Sequence, residues 1–179
     1  SASPEWQGAD HVAFWKSMLE HARFLRYTTV PSVPWTEYNP FGYGNWVLYQ
    51  LQGLLAIAAY FPEFAEAEDW IEHAREGVGQ HADWCIFPDS GFDEYSVSYA
   101  GQVAGQFEYC WNTMKQQRVQ PPPRFRDNLV RLHELFLKTS LTEGAQLPFG
   151  DTHRGRDSAQ VRCRWAALAF LDERFLRMA

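Results

Sequence analysis

The chain has 179 residues, of which 46% are hydrophobic and 21% charged, an ordinary globular balance that excludes intrinsic disorder. Lys and Arg number 16 against 22 Asp and Glu, a net charge of −6, and the basic residues form no block, so sequence-independent nucleic-acid binding has no electrostatic support. The longest apolar run, from Leu54 to Phe61, is far shorter than the ~20 residues of a membrane span.

Six helical segments follow from apolar spacing and stop signals. The first is expected over residues 10–27, with Val12, Trp15, Met18, Leu19, Ala22 and Leu25 on one stripe. It ends before a loop holding Pro31, Pro34 and Pro40, which cannot continue a helix. The second begins near Asn45, whose amide is a candidate cap, and carries Val47, Leu48, Leu51, Leu54, Leu55, Ile57 and Ala58. It is apolar nearly all round, so it should be the most buried element, and Pro62 stops it. The third is expected to start at Pro62 or Glu63 and to end near Trp84.

The turn-forming stretch Phe87-Pro88-Asp89-Ser90-Gly91 precedes a fourth helix over residues 96–116. A fifth follows over 123–138, after the stiff connector Gln120-Pro121-Pro122-Pro123, and a sixth over 157–177. No run of period-2 alternation is long enough for a strand. The fold class is all-α, with antiparallel helical hairpins recurring about every 50 to 60 residues, as in stacked hairpins or a toroid. Three hairpins alone leave apolar faces on the first and last, to be met by each other or by further chain.

Cys85, Cys110 and Cys163 are widely spaced, an odd count without CxxC pattern, which argues against a disulfide framework and a zinc site and for buried thiols. No cofactor or metal is indicated. The N-terminus has neither a basic nor an apolar region, so no signal peptide is read in this chain, in keeping with a mature or trimmed product.

Two junctions gather chemistry. In Phe41-Gly42-Tyr43-Gly44-Asn45-Trp46, glycines allow close backbone approach beside an amide and several aromatics; the plainer alternative is that Asn45 only caps its helix. From Asp89 to Tyr99 the chain carries three carboxylates, two tyrosines and serines; the alternative there is an acidic turn with Ser96 as cap and Tyr99 as a half-buried aromatic. Trp46, Tyr43, Phe92 and Tyr95 are candidate platforms for sugar rings, or core.

The ordered set Asn45-Trp46, Gly53-Leu54-Leu55, Phe61-Pro62-Glu63-Phe64, Trp70, Pro88-Asp89-Ser90-Gly91, Glu94-x-Ser96-x-x-Tyr99 and Leu147-Pro148-Phe149-Gly150-Asp151 resembles the helical domain of heparinase II/III-like polysaccharide lyases. The resemblance implies that residues 1–179 are one helical domain, part of an (α/α) toroid that is normally followed by a companion β-sandwich domain absent from this chain. It implies a periplasmic or secreted enzyme that cleaves an acidic, uronate-containing polysaccharide by β-elimination. It assigns the catalytic phenol to Tyr99 and the carboxylate-neutralising amide to Asn45. Those residue types suit the chemistry. Removing the C5 proton of a uronate develops charge on its carboxylate, which a neutral donor stabilises as it grows, while a phenol takes the proton or protonates the leaving oxygen. Phenols ordinarily titrate near 10, so a nearby cation or donor must assist at neutral pH.

Many relatives carry a histidine directly after the tyrosine, where this chain has Ala100. The further histidine of the family falls beyond the matched motifs, with His153 the nearest candidate, or else a surface residue; His81 faces either the cleft or, the preferred reading, solvent. Arg154 and Arg156 are candidate clamps for a substrate carboxylate, or a solvated basic loop. Glu94 and Tyr95 complete the candidate substrate-binding set. Two other functions stay open: a glycoside hydrolase on a similar toroid using two of Asp93, Glu94 and Asp151, and a non-catalytic helical module that binds glycans or another domain.

Overall fold

A computed structural model describes residues 7–29, 45–140, 147, 150 and 158–177. Among them, six helices follow in order: α1 (Gly8–Thr28), α2 (Asn45–Tyr60), α3 (Ala67–Cys85), α4 (Val97–Gln116), α5 (Phe125–Thr139) and α6 (Ser158–Phe170), with a closing 3-10 turn at Glu173–Arg177. An isolated bridge pairs Ile86 with Phe92.

The contacts fix how these helices stack. Leu25 of α1 faces Gly53 of α2, and Trp15 near the start of α1 meets Phe61 just past the end of α2, ring centroids 5.0 Å apart. The two helices are therefore antiparallel. α1 and α3 instead run parallel: Arg23 pairs with Glu66, Arg26 with Asp69 at 2.8 Å, and the Thr29 carbonyl accepts from His73 Nε2 at 2.8 Å. The same direction continues into α5, where Pro122 closes on Gly79 and the Asn128 amide donates to Asp83 at 2.6 Å. α2 and α4 are likewise parallel, with Asn45 beside Glu94 at one end and Tyr60 beside Tyr109 at the other. Arg162 on Glu108 and Phe170 on Trp111 extend that layer to α6. One layer is thus α1–α3–α5 and the other α2–α4–α6, running in opposite senses: an arc of an (α/α) toroid.

Hydrophobic burial holds the arc together. Leu48, Leu51, Leu54, Leu55 and Ala58 of α2 are fully buried, each leucine worth roughly 1.5–3 kcal/mol in transfer free energy. All three cysteines are buried and free, and burial pushes the Cys110 thiol up to about 12, which keeps it protonated and inert.

Four expectations need correction. α3 begins at Ala67 rather than at Pro62 or Glu63, because the intervening residues turn so that Phe61 and Phe64 can pack on Trp15; the Phe64 N–H closes one turn on the Phe61 carbonyl at 3.3 Å. The last helix stops at Phe170, where Leu171 takes a left-handed φ of 54° and redirects the chain, letting Phe175 bury fully. The α1 stripe is buried only in its second half: Ala22 and Leu25 are covered, while Val12 is 69% exposed. Finally, His81 is not on the solvent side but buried, its ring 5.8 Å from that of Phe107.

One charged network lies inside the packing. His133 of α5 is fully buried, stacked 5.2 Å from Trp165 of α6. Its Nδ1 donates to the Leu129 carbonyl at 2.7 Å, and its Nε2 lies 3.0 Å from Glu108 Oε1 of α4. Arg162 of α6 pairs with the other Glu108 oxygen, so three helices meet on one carboxylate. Glu108→Ala leaves the buried His133 imidazole and the part-buried Arg162 guanidinium without this acceptor, and urea unfolding is expected to show a loss of about 3 kcal/mol.

Burial also drives the His81 imidazole down to about 4. The unfolded chain therefore binds a proton that the folded chain refuses, and stability is lost as pH falls from 6.5 toward 4. Urea midpoints measured across that window should fall for the parent chain and flatten for His81→Gln.

Candidate functional site

The two sequence junctions meet at one end of the arc. The loop between α3 and α4 is folded tightly on itself: the Phe87 N–H donates to the Gly91 carbonyl at 2.9 Å, and the Gly91 N–H donates to Asp89 Oδ1 at 2.8 Å. A side chain at position 91 would crowd that carboxylate and the Phe87 ring. Ser90 and Tyr95 both adopt left-handed backbone, with φ of 78° and 51°. Such conformations cost about 1–3 kcal/mol each and persist only where neighbours hold them. Here α5 does so. Lys138 Nζ donates to the Asp89 carbonyl at 2.9 Å and to Ser90 Oγ at 2.8 Å, and Ser90 Oγ reaches Glu134 Oε2 at 3.2 Å.

Ser96 then caps α4, its Oγ accepting the Tyr99 N–H at 3.4 Å. This is the cap expected from the sequence, and Tyr99 is half-buried, packed at the edge of the core. Asn45 differs from its cap reading: α2 begins with Asn45 itself, and its backbone N–H donates to Glu94 Oε1 at 3.2 Å. The first and second junctions are therefore bonded to each other. The Leu147–Asp151 element of the family pattern reaches them at Gly150 (φ 60°), whose Cα lies so close to the Tyr95 carbonyl that a Cβ would overlap the oxygen. Asn45 and Tyr99 thus stand at the same end of two parallel neighbouring helices, and neither is buried.

The candidate aromatics separate. Trp46 and Tyr95 are 66% and 67% exposed. Phe92 is buried and belongs to the core, because its bridge to Ile86 turns the ring inward. Phe87, Val97, Leu135 and Leu147 border, beside Tyr95, an apolar cavity of 490 Å³. Tyr43, Asp151, His153, Arg154 and Arg156 lie outside the described residues. Sequence reasoning missed Lys138 and Glu134, which brace the loop from 48 and 44 positions away, a separation no local pattern encodes.

Acidity is the site's electrostatic signature. Burial, and then the Glu94 charge beside it, raise the Asp93 carboxyl to about 7. Burial also raises Glu94, with the Asn45 N–H pulling the other way. Among the described residues no cluster of His, Cys, Asp and Glu is arranged to hold a metal ion, and no helix is long and apolar enough to cross a membrane.

The fold and this cluster define an arc of a helical toroid with an amide, a phenol and two carboxylates gathered at one end. The family described as Heparinase II/III N-terminus matches residues 1–176, and the chain belongs to it. A crystal structure of heparinase III is similar over 90% of this chain and 25% of its own, at 19% identity and a TM-score of 0.75. The heparinase III-BT4657 gene product is similar over 99% of this chain and 27% of its own, at 17% identity and a TM-score of 0.81. These likenesses are of fold. Among curated proteins, prenyltransferase phqI of Penicillium fellutanum is 26% identical over 156 residues, 86% of this chain and 33% of that protein. The chain thus spans about a quarter of the solved heparinase III chains and a third of the curated relative.

The Asp93 shift has a signed consequence. The folded chain holds a proton there that the unfolded chain releases near 3.8, so this group subtracts stability as pH rises from about 4 to about 7. Thermal unfolding should find Asp93→Asn more stable than the parent at pH 8, with the gap closing below pH 4.

Proposed function

We propose that this chain is the part of a polysaccharide lyase that carries its amide and phenol, acting on an acidic, uronate-containing glycan. The observation that carries the reading is the Glu94–Asn45 hydrogen bond, which brings the start of α2 to the loop that leads into Tyr99. A uronate bound across this end would direct its carboxylate to the Asn45 amide, whose N–H stabilises the charge that grows there. The C5 proton passes to a base, the C4–O bond to the leaving sugar breaks, a C4–C5 double bond forms, and the leaving oxygen takes a proton. Tyr99 serves one or both of these transfers. Trp46 and Tyr95 supply stacking faces for the flanking sugars, and His153, Arg154 and Arg156 are the candidates for the remaining substrate contacts. The longer protein adds the companion β-sandwich domain and works in the periplasm or outside the cell.

A second reading has one observation in its favour. A carboxyl raised to about 7, as in Asp93, suits the general acid of a glycoside hydrolase. The product separates the readings, since elimination leaves an unsaturated uronate that absorbs in the ultraviolet, whereas hydrolysis does not. Prenyl transfer, the activity in the fungal relative's name, leaves no such product either.

A panel of uronate polysaccharides is to be incubated with this chain and with the longer protein while ultraviolet absorbance is followed. Tyr99→Phe should lower the rate by about 10²–10⁴-fold and Asn45→Ala by about 10²–10³-fold. Hydrolysis without absorbance, or glycan binding unchanged by Tyr99→Phe with no turnover, would overturn the lyase reading.

A further inference from the structure

An α-helix leaves its first N–H groups without partners inside the helix. In α2 the Asn45 N–H finds its acceptor 49 positions away, in Glu94 Oε1 at 3.2 Å. Glu94 itself sits on a braced mount. The Asp93 N–H donates to the Cys85 carbonyl at 3.1 Å, the Tyr95 N–H donates to the Phe92 carbonyl at 3.0 Å, and Ser96 caps the turn that contains Tyr99. From Asn45 to Tyr99 the path is one hydrogen bond and one short, capped stretch of backbone.

We propose, on the lyase reading above, that Glu94 is a positioning residue: by accepting the Asn45 N–H it locks the first turn of α2 to the loop entering α4 and holds the Asn45 amide in register with the Tyr99 phenol. A direct role on the substrate fits the geometry less well. The carboxylate is half-buried and engaged with the helix, and a free carboxylate facing a uronate would repel the group that Asn45 is there to receive. Glu94 therefore acts through Asn45, and its removal misplaces the amide without removing any contact to the sugar. A displacement of about 1 Å at a reacting group costs on the order of 10²-fold in rate.

The test pairs activity with a measurement independent of it. In the lyase-active protein, Glu94→Ala should lower kcat by about 10- to 100-fold with KM nearly unchanged, and Glu94→Gln, which keeps an oxygen acceptor, should restore most of the loss. In this chain, amide exchange followed by NMR should show the Asn45 N–H protected in the parent and in Glu94→Gln and unprotected in Glu94→Ala. A rise in KM at constant kcat would make Glu94 a substrate contact and overturn the proposal, as would Asn45 protection that survives Glu94→Ala. If Glu94→Ala fails to fold, Glu94→Gln carries the test: kcat and Asn45 protection retained together or lost together support the proposal, whereas kcat lost while protection survives, or kept while protection is lost, overturns it. If no uronate glycan yields unsaturated product even with the parent, the lyase reading fails, while the exchange data still decide whether Glu94 holds the start of α2.

Discussion

A helix with a broad apolar face must be covered by more than one neighbour, and α2 sets that condition for the whole arc, leaving Trp46, Tyr49 and Tyr60 exposed on its other side. Leu48, Leu51, Leu54 and Leu55 lie along one broad face of it and all are fully buried, so helices from more than one hairpin close on that face. α1 covers it by an antiparallel return, α3 by the next hairpin, and α4 lies parallel alongside. That parallel placement puts the first turns of α2 and α4 side by side. The site is a by-product of how the core is covered.

This explains why the fold was largely legible. The spacing of α2 and the proline stops are local features, and the short connections from α2 through α5 favour hairpins there. The errors fall where tertiary packing overrides a local signal. Pro62 and Glu63 make a sound helix start on paper, but the aromatic cluster of Trp15, Phe61 and Phe64 uses those residues for a turn. His81 reads as a polar residue on an amphipathic helix, yet the neighbouring Phe107 encloses it; a helical wheel does not reveal which face a second layer will cover.

The site was legible in a different way. Residue types and their order singled out Asn45, Glu94 and Tyr99 as candidates through a family pattern, but what links Asn45 to Glu94 is a bond between a backbone N–H and a side chain 49 residues on. Periodicity carries no information about such pairs. The same is true of Lys138 and Glu134, which are ordinary members of a polar helix face until the loop between α3 and α4 settles on them. Phe92 shows the converse, an aromatic beside a glycine turn whose ring the Ile86 bridge sends inward.

Ser90 and Tyr95 keep side chains where the backbone favours glycine. Glycine at either place would relieve the local steric cost, yet it would also widen the range of shapes open to the unfolded loop. At Ser90 it would delete the hydroxyl that Lys138 grips as well. The loop is consequently stiff rather than relaxed: its shape is settled in advance, so any ligand would meet a finished surface and spend little of its binding energy on ordering it.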